Sequence, residues 1–313
     1  MKKVVLTGAT GFIGYHLLRE LRKKGTEVWA LCRKSSSGYD AVKKAAGVHI
    51  VECGLEEVRD LPKLCQERRF DAFYHLAWSG ASGPLRGEYG TQVKNVLWTC
   101  DCIKAAKELQ CKKIIVTGTV CENQCDAIAG LEEFVGASYY LFAKRYAHEM
   151  AEEISKELGI PLVWCRFYHP IGVFNKKEQI IADTIWKLLH QETPRFGPAK
   201  GLFDVIDVRD LACALYRMGE TALKNDTYFI GSGSPRTLKE YLETTKDMLD
   251  PFANMQYGAV KTAELPMERA WLDPCAFQAE TGFAPSIPFA ESVETMRTWL
   301  ENETKYEIEK WLF

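Results

Sequence analysis

Tyr140 and Lys144, in the run Tyr140-Leu-Phe-Ala-Lys144, stand four residues apart. On a helix, positions i and i+4 share a face, so a phenol and an ammonium there can meet one ligand. A free tyrosine has a pKa of ~10 and is a poor base at neutral pH. A nearby ammonium favours the phenolate. Such a phenol can give or take the proton of a carbonyl while hydride moves. A hydroxyl that holds the same oxygen would complete the set. The strand Lys113–Thr117 leads into Thr117-Gly-Thr119 at a carboxyl strand end, where open α/β sheets bind ligands. Thr117 and Thr119 both qualify by type.

Hydride needs a carrier, and the N-terminus offers a place for one. The run Thr7-Gly-Ala-Thr-Gly-Phe-Ile-Gly14 falls where a strand gives way to a helix, the context that a dinucleotide fingerprint requires. Gly8 allows the tight turn, Gly11 lets backbone approach a pyrophosphate, and Gly14 lets the helix pack on the strand. Thr10, Phe12 and Ile13 complete the expected contacts. The helix start presents unpaired N–H groups and a positive dipole end to phosphate.

The choice of dinucleotide is expected at the end of the second strand. An acidic residue there grips the ribose hydroxyls of NAD, whereas arginine suits the 2′-phosphate of NADP. The strand Val28–Leu31 is followed by Cys32, Arg33 and Lys34, with no carboxylate. Arg33, with Lys34 secondary, would form charge-assisted hydrogen bonds to that phosphate. NADP(H) is therefore favoured over NAD(H).

The elements that must position these groups follow a clear rhythm. Apolar, β-branched runs at Val4–Thr7, Glu27–Leu31, Val48–Val51, Ala72–Leu76, Lys113–Thr117 and Leu162–Phe167 read as strands. Helical spacing fills Phe12–Lys24, Thr91–Leu109 and Tyr139–Leu158. Strands alternating with helices make a parallel sheet covered on both faces. After Pro170 the rhythm changes. Helices are expected at Ile180–His190, Val208–Met218, Leu238–Leu249 and Phe289–Glu303, with strands at Phe203–Ile206 and Thr227–Ile230. The expected fold is α/β: a Rossmann-type doubly wound parallel sheet with a smaller C-terminal α/β substrate-binding region. Residues 1–169 would form the cofactor domain, its sheet completed by 203–231. Residues 170–202 and 232–313 would bind substrate. The tail Glu301–Phe313 ends in Trp-Leu-Phe and is expected to dock on the body or on a second subunit.

Composition narrows the classes. The 313 residues carry a net charge of −2, which gives no reason to expect nucleic acid or an anionic membrane as partner. No apolar run approaches the ~20 residues of a membrane helix. The 11 cysteines are irregularly spaced, with no CxxC, so reduced thiols are expected rather than a structural zinc site or a disulfide framework. No metal site is expected. Three glycines interrupt the apolar N-terminal stretch and charged helix-like sequence follows, so it is read as mature structure and the protein as cytoplasmic.

Taken together, these motifs resemble the extended short-chain dehydrogenase/reductase superfamily, specifically its NAD(P)-dependent nucleotide-sugar epimerase/dehydratase family. The glycine run matches that family's N-terminal motif, and His75-Leu-Ala77 its HxA signature. Arg166-Phe-Tyr-His-Pro-Ile-Gly172 looks like the motif after the sixth strand, and residues 203–215 and 228–242 resemble later family segments. The resemblance implies Thr119, Tyr140 and Lys144 as the catalytic set. It adds Leu76, Ala77, Trp78 and Asn95 to the cofactor contacts, beside Tyr140 and Lys144. Trp78, Ser79, Thr119 and His169 would face substrate. It also implies a homodimer formed through the helices at 91–109 and 139–158.

Departures from the family pattern sharpen the expectation. Val120 and Cys121 occupy the positions where the 4,6-dehydratases carry an Asp-Glu pair, which argues against dehydration. His169 replaces the usual asparagine. Phe203 stands where several relatives keep a phosphate-binding arginine, leaving Arg195, Lys200 and Arg269 as candidates for the substrate diphosphate. The expected activity is reduction of an NDP-4-keto-(deoxy)sugar at C4. The alternatives are an NDP-sugar 4-epimerase with retained NAD and a non-catalytic NADP-binding sensor or scaffold.

Overall fold

The computed structural model describes residues 1–136, 138–263 and 265–302. The expectation for the tail falls mainly on 303–313, outside the described residues.

The first half builds one sheet. Its elements in chain order are β1 (Lys3–Thr7), α1 (Phe12–Lys23), β2 (Glu27–Cys32), α2 (Tyr39–Lys44), β3 (Val48–Glu52), α3 (Leu61–Leu64), β4 (Ala72–His75), α4 (Tyr89–Glu108), β5 (Ile114–Thr117), α5 (Cys125–Ala129), α6 (Ser138–Leu158) and β6 (Leu162–Arg166). The central strands β4 and β5 are buried at every position, as near-continuous apolar runs require when helices cover both faces. The second half supplies β7 (His169–Ile171), α7 (Ile180–Leu189), β8 (Leu202–Phe203), β9 (Val205–Asp207), α8 (Val208–Glu220), β10 (Thr227–Phe229), β11 (Arg236–Thr237), α9 (Leu238–Leu249), α10 (Cys275–Thr281) and α11 (Phe289–Glu301).

Seven strands join in the order β10-β6-β5-β4-β1-β2-β3, and every pairing is parallel. This is the Rossmann-like α/β sheet expected from the sequence. The order reverses between β1 and β4, which opens a crevice at their carboxyl ends. Thr7 lies opposite both Leu31 and His75 in register. Its hydroxyl contacts His75 Nδ1 at 2.9 Å and accepts from Ala77 N at 3.2 Å, tying the end of β1 to the chain leaving β4.

Two apolar layers sandwich the sheet. One face packs Leu17, Leu18 and Leu21 of α1 with Leu211 and Leu215 of α8. The other packs Ile103 and Ala106 of α4 with Ala147 and Ala151 of α6 against Phe73 and Trp164. A third core gathers Ile181 and Ile185 of α7, Tyr241 and Leu242 of α9, and Val293 and Met296 of α11. Asp207 fastens this region to α8: its carboxylate accepts from Arg209 N at 2.8 Å and Ser292 Oγ at 2.7 Å.

One expected strand divides. The run Phe203–Ile206 is split at Asp204, whose buried carboxylate accepts from Ser232 N at 2.8 Å and Ser232 Oγ at 2.9 Å. β8 on one side pairs with β11, and β9 on the other pairs with β7. Of the segment 203–231, only β10 joins the main sheet. All 11 cysteines are free. No helix among the described residues is long and apolar enough to cross a membrane.

Candidate active site

The glycine turn is built for an approaching phosphate. Gly8 has φ +78°, and a Cβ there would stand 2.8 Å from Ala77 N. A Cβ on Gly14 would lie 1.9 Å from Gly8 O, so backbone is in direct contact where the helix leaves the turn. Gly11 N donates to Gly8 O at 2.9 Å, and Gly11 itself caps α1. No side chain caps the helix, and its first turn holds no acidic residue. The N-terminal N–H groups are thus left for an anion.

A cleft of about 730 Å³ opens in front of this turn. Gly8, Thr10, Gly11, Phe12, Ile13 and Gly14 line it, with Leu76, Ala77, Trp78 and Ser79 on the far wall. Arg33 lines its end beside Ser35, Ser36 and Ser37, as does Glu56. Lys34 is placed otherwise than expected. Its ammonium pairs with Glu52 at 2.9 Å and is not part of the lining. Glu52 also accepts from the Tyr39 hydroxyl at 2.7 Å.

Tyr140 and Lys144 sit on α6 around Trp78, the residue that carries the cleft wall inward. Lys144 is 4% exposed; its Nζ donates to Thr117 O at 2.7 Å and rests 3.6 Å from the centre of the Trp78 ring. The half-buried Tyr140 ring meets that indole edge-on, centroids 6.1 Å apart. Arg86 covers the Tyr140 ring with its guanidinium carbon 4.2 Å from the centroid. Burial pushes the Lys144 ammonium down to about 7, opposed by the charge of Glu122. Burial also raises the Tyr140 phenol above its ordinary range, opposed by Arg86. The cluster therefore holds a proton donor and an amine poised near neutrality.

The two candidate threonines take different parts. Thr117 gives its carbonyl to Lys144 and donates its hydroxyl to His75 O at 3.4 Å. Thr119 starts a short 3₁₀ turn, Val120–Gln124, and its hydroxyl accepts from Cys121 N at 3.3 Å. The Thr119 hydroxyl also hydrogen-bonds the side chain of Cys121, so donating to a ligand oxygen would mean turning its hydrogen away from that sulfur, a weak acceptor. Glu122, 1% exposed, fixes the turn from behind. Its carboxylate accepts from Thr119 N at 2.8 Å, Trp164 Nε1 at 3.1 Å and Arg166 Nε at 3.0 Å.

A sequence model of the NAD dependent epimerase/dehydratase family matches residues 4–231. The chain belongs to that family. CDP-abequose synthase of Salmonella muenchen is 26% identical to it over 268 residues, covering 83% of this chain and 85% of that protein. The dTDP-6-deoxy-L-talose 4-dehydrogenase (NAD(+)) of Aggregatibacter actinomycetemcomitans is 23% identical over 262 residues, covering 77% and 88%. Among solved structures, UDP-N-acetylglucosamine 4-epimerase from Methanobrevibacter ruminantium M1 in complex with UDP-N-acetylmuramic acid has a TM-score of 0.77 at 20% identity. It covers 96% of this chain and 99% of that one, and the likeness is one of fold.

Within this epimerase/dehydratase protein, several expected contacts have other work. Asn95 accepts from Ser79 N at 2.8 Å and donates to Ser79 O at 2.8 Å and Thr91 O at 3.0 Å. Its amide holds the loop after β4 and does not line the cleft. His169 is 8% exposed and packs against Phe203 with the rings tilted and their centres 5.1 Å apart; its Nε2 is buried without a hydrogen-bond partner. Burial pushes its pKa down to about 4, so the ring is neutral. Arg195, Lys200 and Arg269 do not line the cleft; Arg269 reaches Pro235 O at 3.5 Å. Val120 is buried, and burial pushes the Cys121 thiol up to about 11, so neither supplies the missing acid/base pair.

Three features were not read from the sequence. Gln92 accepts from Trp78 Nε1 at 2.9 Å and donates to Leu85 O at 2.9 Å, pinning the loop from α4. Its spacing of three from Asn95, on one helix face, was the available signal. The Ser35–Ser37 run, which follows Arg33 and Lys34, was another. For Glu122 the signal was the capping-box spacing Thr119-x-x-Glu122; only its β6 partners, more than 40 residues on, left no trace.

Proposed function

We propose that this family member is an NADP(H)-linked oxidoreductase that reduces an NDP-4-keto-(deoxy)sugar at C4. The observation that carries the reading is the packing of Tyr140 and Lys144 around Trp78, which itself lines the cleft headed by the glycine turn; Tyr140, Lys144 and Thr119 lie behind that lining. The names of relatives support the substrate class: one is a CDP-sugar synthase and another a dTDP-sugar 4-dehydrogenase.

The turn fits a dinucleotide, because Gly8 and Gly14 leave no room for a Cβ and the start of α1 lacks a side-chain anion. Gly8 to Gly14 would hold the pyrophosphate, Lys144 the nicotinamide ribose, and Arg33 with Ser35–Ser37 a 2′-phosphate. When bound, the cofactor supplies the hydride. Thr119 turns its hydroxyl hydrogen from the Cys121 sulfur to the sugar carbonyl oxygen and fixes it. Tyr140 delivers the proton to that oxygen as negative charge grows there. Lys144 then lowers the cost of the phenolate left behind. Trp78 keeps water from the amine by covering it.

Purified protein incubated with NADPH and a panel of NDP-4-keto sugars should oxidise NADPH with at least one of them. Protein that instead carries tightly held NAD and interconverts NDP-sugars without net redox change would be the 4-epimerase. Protein that binds NADP(H) but turns over neither class would be the sensor or scaffold. Arg33→Ala should weaken NADP(H) about tenfold to a hundredfold, the loss expected for hydrogen bonds to a charged group, and leave NAD(H) affinity unchanged. Calorimetric titration of both proteins with both cofactors reads this; equal NADP(H) affinity would remove Arg33 from the assignment.

The assembly reading rests on α4 and α6. Together they expose Tyr89, Val93 and Leu97 with Tyr139, Tyr146 and Met150, an apolar face of the kind that marks an interface. We assign this face to a second copy of the chain, the same patch meeting itself about a two-fold axis. Light scattering at micromolar concentration should give a dimer, and Leu97→Glu a monomer. A monomeric wild type would refute the assignment.

A further inference from the structure

Arg86 lies in the site, yet the chemistry above gives it no part. It belongs to a 3₁₀ turn, Pro84–Gly87, that closes the loop after β4. The loop is tightly held. Gln92 Nε2 donates to Gly80 O at 3.1 Å and Leu85 O at 2.9 Å, and Arg86 Nη1 donates to Ala81 O at 3.0 Å. Gly80, at φ +69°, is folded so close to Leu85 that a Cβ would lie 2.6 Å from its carbonyl oxygen. The result places the half-buried guanidinium over the Tyr140 ring, 4.2 Å from its centre. Among the described residues no carboxylate pairs with Arg86.

The groups that act on Tyr140 come from three directions. Cys121 and Glu122 face it from the turn after β5, and both oppose a negative phenolate. Lys144 follows one turn along α6, with its amine turned onto the Trp78 ring and Thr117 O. Arg86 faces it from the loop after β4 and works the other way. A cation on the face of a ring is attracted by the π cloud, and more strongly once the ring carries negative charge.

We propose that Arg86 is a positioning residue for Tyr140: it holds the ring by one face and stabilises the negative charge left when the phenolic proton departs. Arg86 thus adds to Lys144 in supporting the phenolate, and the loop after β4 tunes the acid/base strength of the site. The inference rests on Tyr140 being the proton donor proposed above.

The test uses wild type, Arg86→Gln and Arg86→Lys, each with NADP⁺ bound. In the alcohol-oxidising direction the phenolate is the reactive form, so the acidic limb of the pH profile of kcat/KM reports it. Removing an opposite charge at this range should move that limb upward by about one pH unit in Arg86→Gln and by less in Arg86→Lys. Tyrosinate absorbance, taken as the difference between each protein and its Tyr140→Phe counterpart, should show the same displacement without any substrate. Unmoved limbs and unmoved titrations would overturn the proposal. So would a raised KM as the only change, which would make Arg86 a contact for an anionic group of the substrate. Should Arg86→Gln fail to fold, Arg86→Lys and its tyrosinate difference decide alone. If Tyr140→Phe kept the wild-type rate, the reading of Tyr140 as proton donor would fail separately, and the titration would still report on Arg86.

Discussion

Tyr140→Phe should lower kcat by ~10²–10⁴-fold on the sugar substrate, the usual worth of a positioned general acid. The substitution removes one oxygen. The ring keeps its edge contact with Trp78 and its place under Arg86, so the fold should be untouched. Cofactor affinity should fall little, because the phenol works mainly as charge develops on the carbonyl oxygen. Lys144→Ala is a different lesion. It empties a buried position and strips the Thr117 carbonyl of its donor, so cofactor affinity and rate should drop together. Single-turnover rates and dinucleotide titrations of the two variants separate these effects. Wild-type turnover by Tyr140→Phe would end the mechanism and reopen the sensor reading.

Gly14→Ala is expected to abolish measurable dinucleotide binding. The added methyl would lie 1.9 Å from Gly8 O and 2.8 Å from Gly8 C, and both atoms are backbone. No side chain can swing aside to make room. Either α1 backs away from β1 or the turn moves outward, and each motion spoils the approach to the pyrophosphate. Overpacking of this kind typically costs about 1–3 kcal/mol in stability. Gly201→Ala is the control: nothing lies within 4 Å of the new Cβ and no positive φ is involved, so binding and melting temperature should stay near wild type. Denaturation and titration on the same preparations check both effects. Undiminished affinity in Gly14→Ala would show that the turn does not hold the cofactor.

These two positions were legible because their constraints are local. A glycine triad between a strand and a helix states its own geometry, and Tyr140 and Lys144 declare a shared face by spacing alone. The parallel, doubly covered sheet followed from alternation for the same reason. What stayed hidden depends on partners far along the chain. Lys34 read as a phosphate ligand until Glu52, at the end of the neighbouring strand, was seen to hold it. Asn95 read as a cofactor contact, and its amide is used up by the Ser79 backbone. Phe203–Ile206 read as one strand because an apolar run does not reveal that Asp204 will be claimed by Ser232. Arg86 gave no signal, since a lone charge in a loop looks like solvated surface until its burial and neighbours are known.

Helix α4 has a consequence that reaches beyond the cleft. Gln92 and Asn95 hang the active-site loop from one side of it, and Val93 and Leu97 project from the other. The loop over Tyr140 and the apolar surface therefore share a backbone only a few residues long. A second copy seated on Val93 and Leu97 would stiffen that backbone from behind and reduce the play of Trp78 and Arg86. Dilution that separates the copies would give the play back. Turnover per molecule then becomes a function of protein concentration, although no residue of the apolar face enters the cleft.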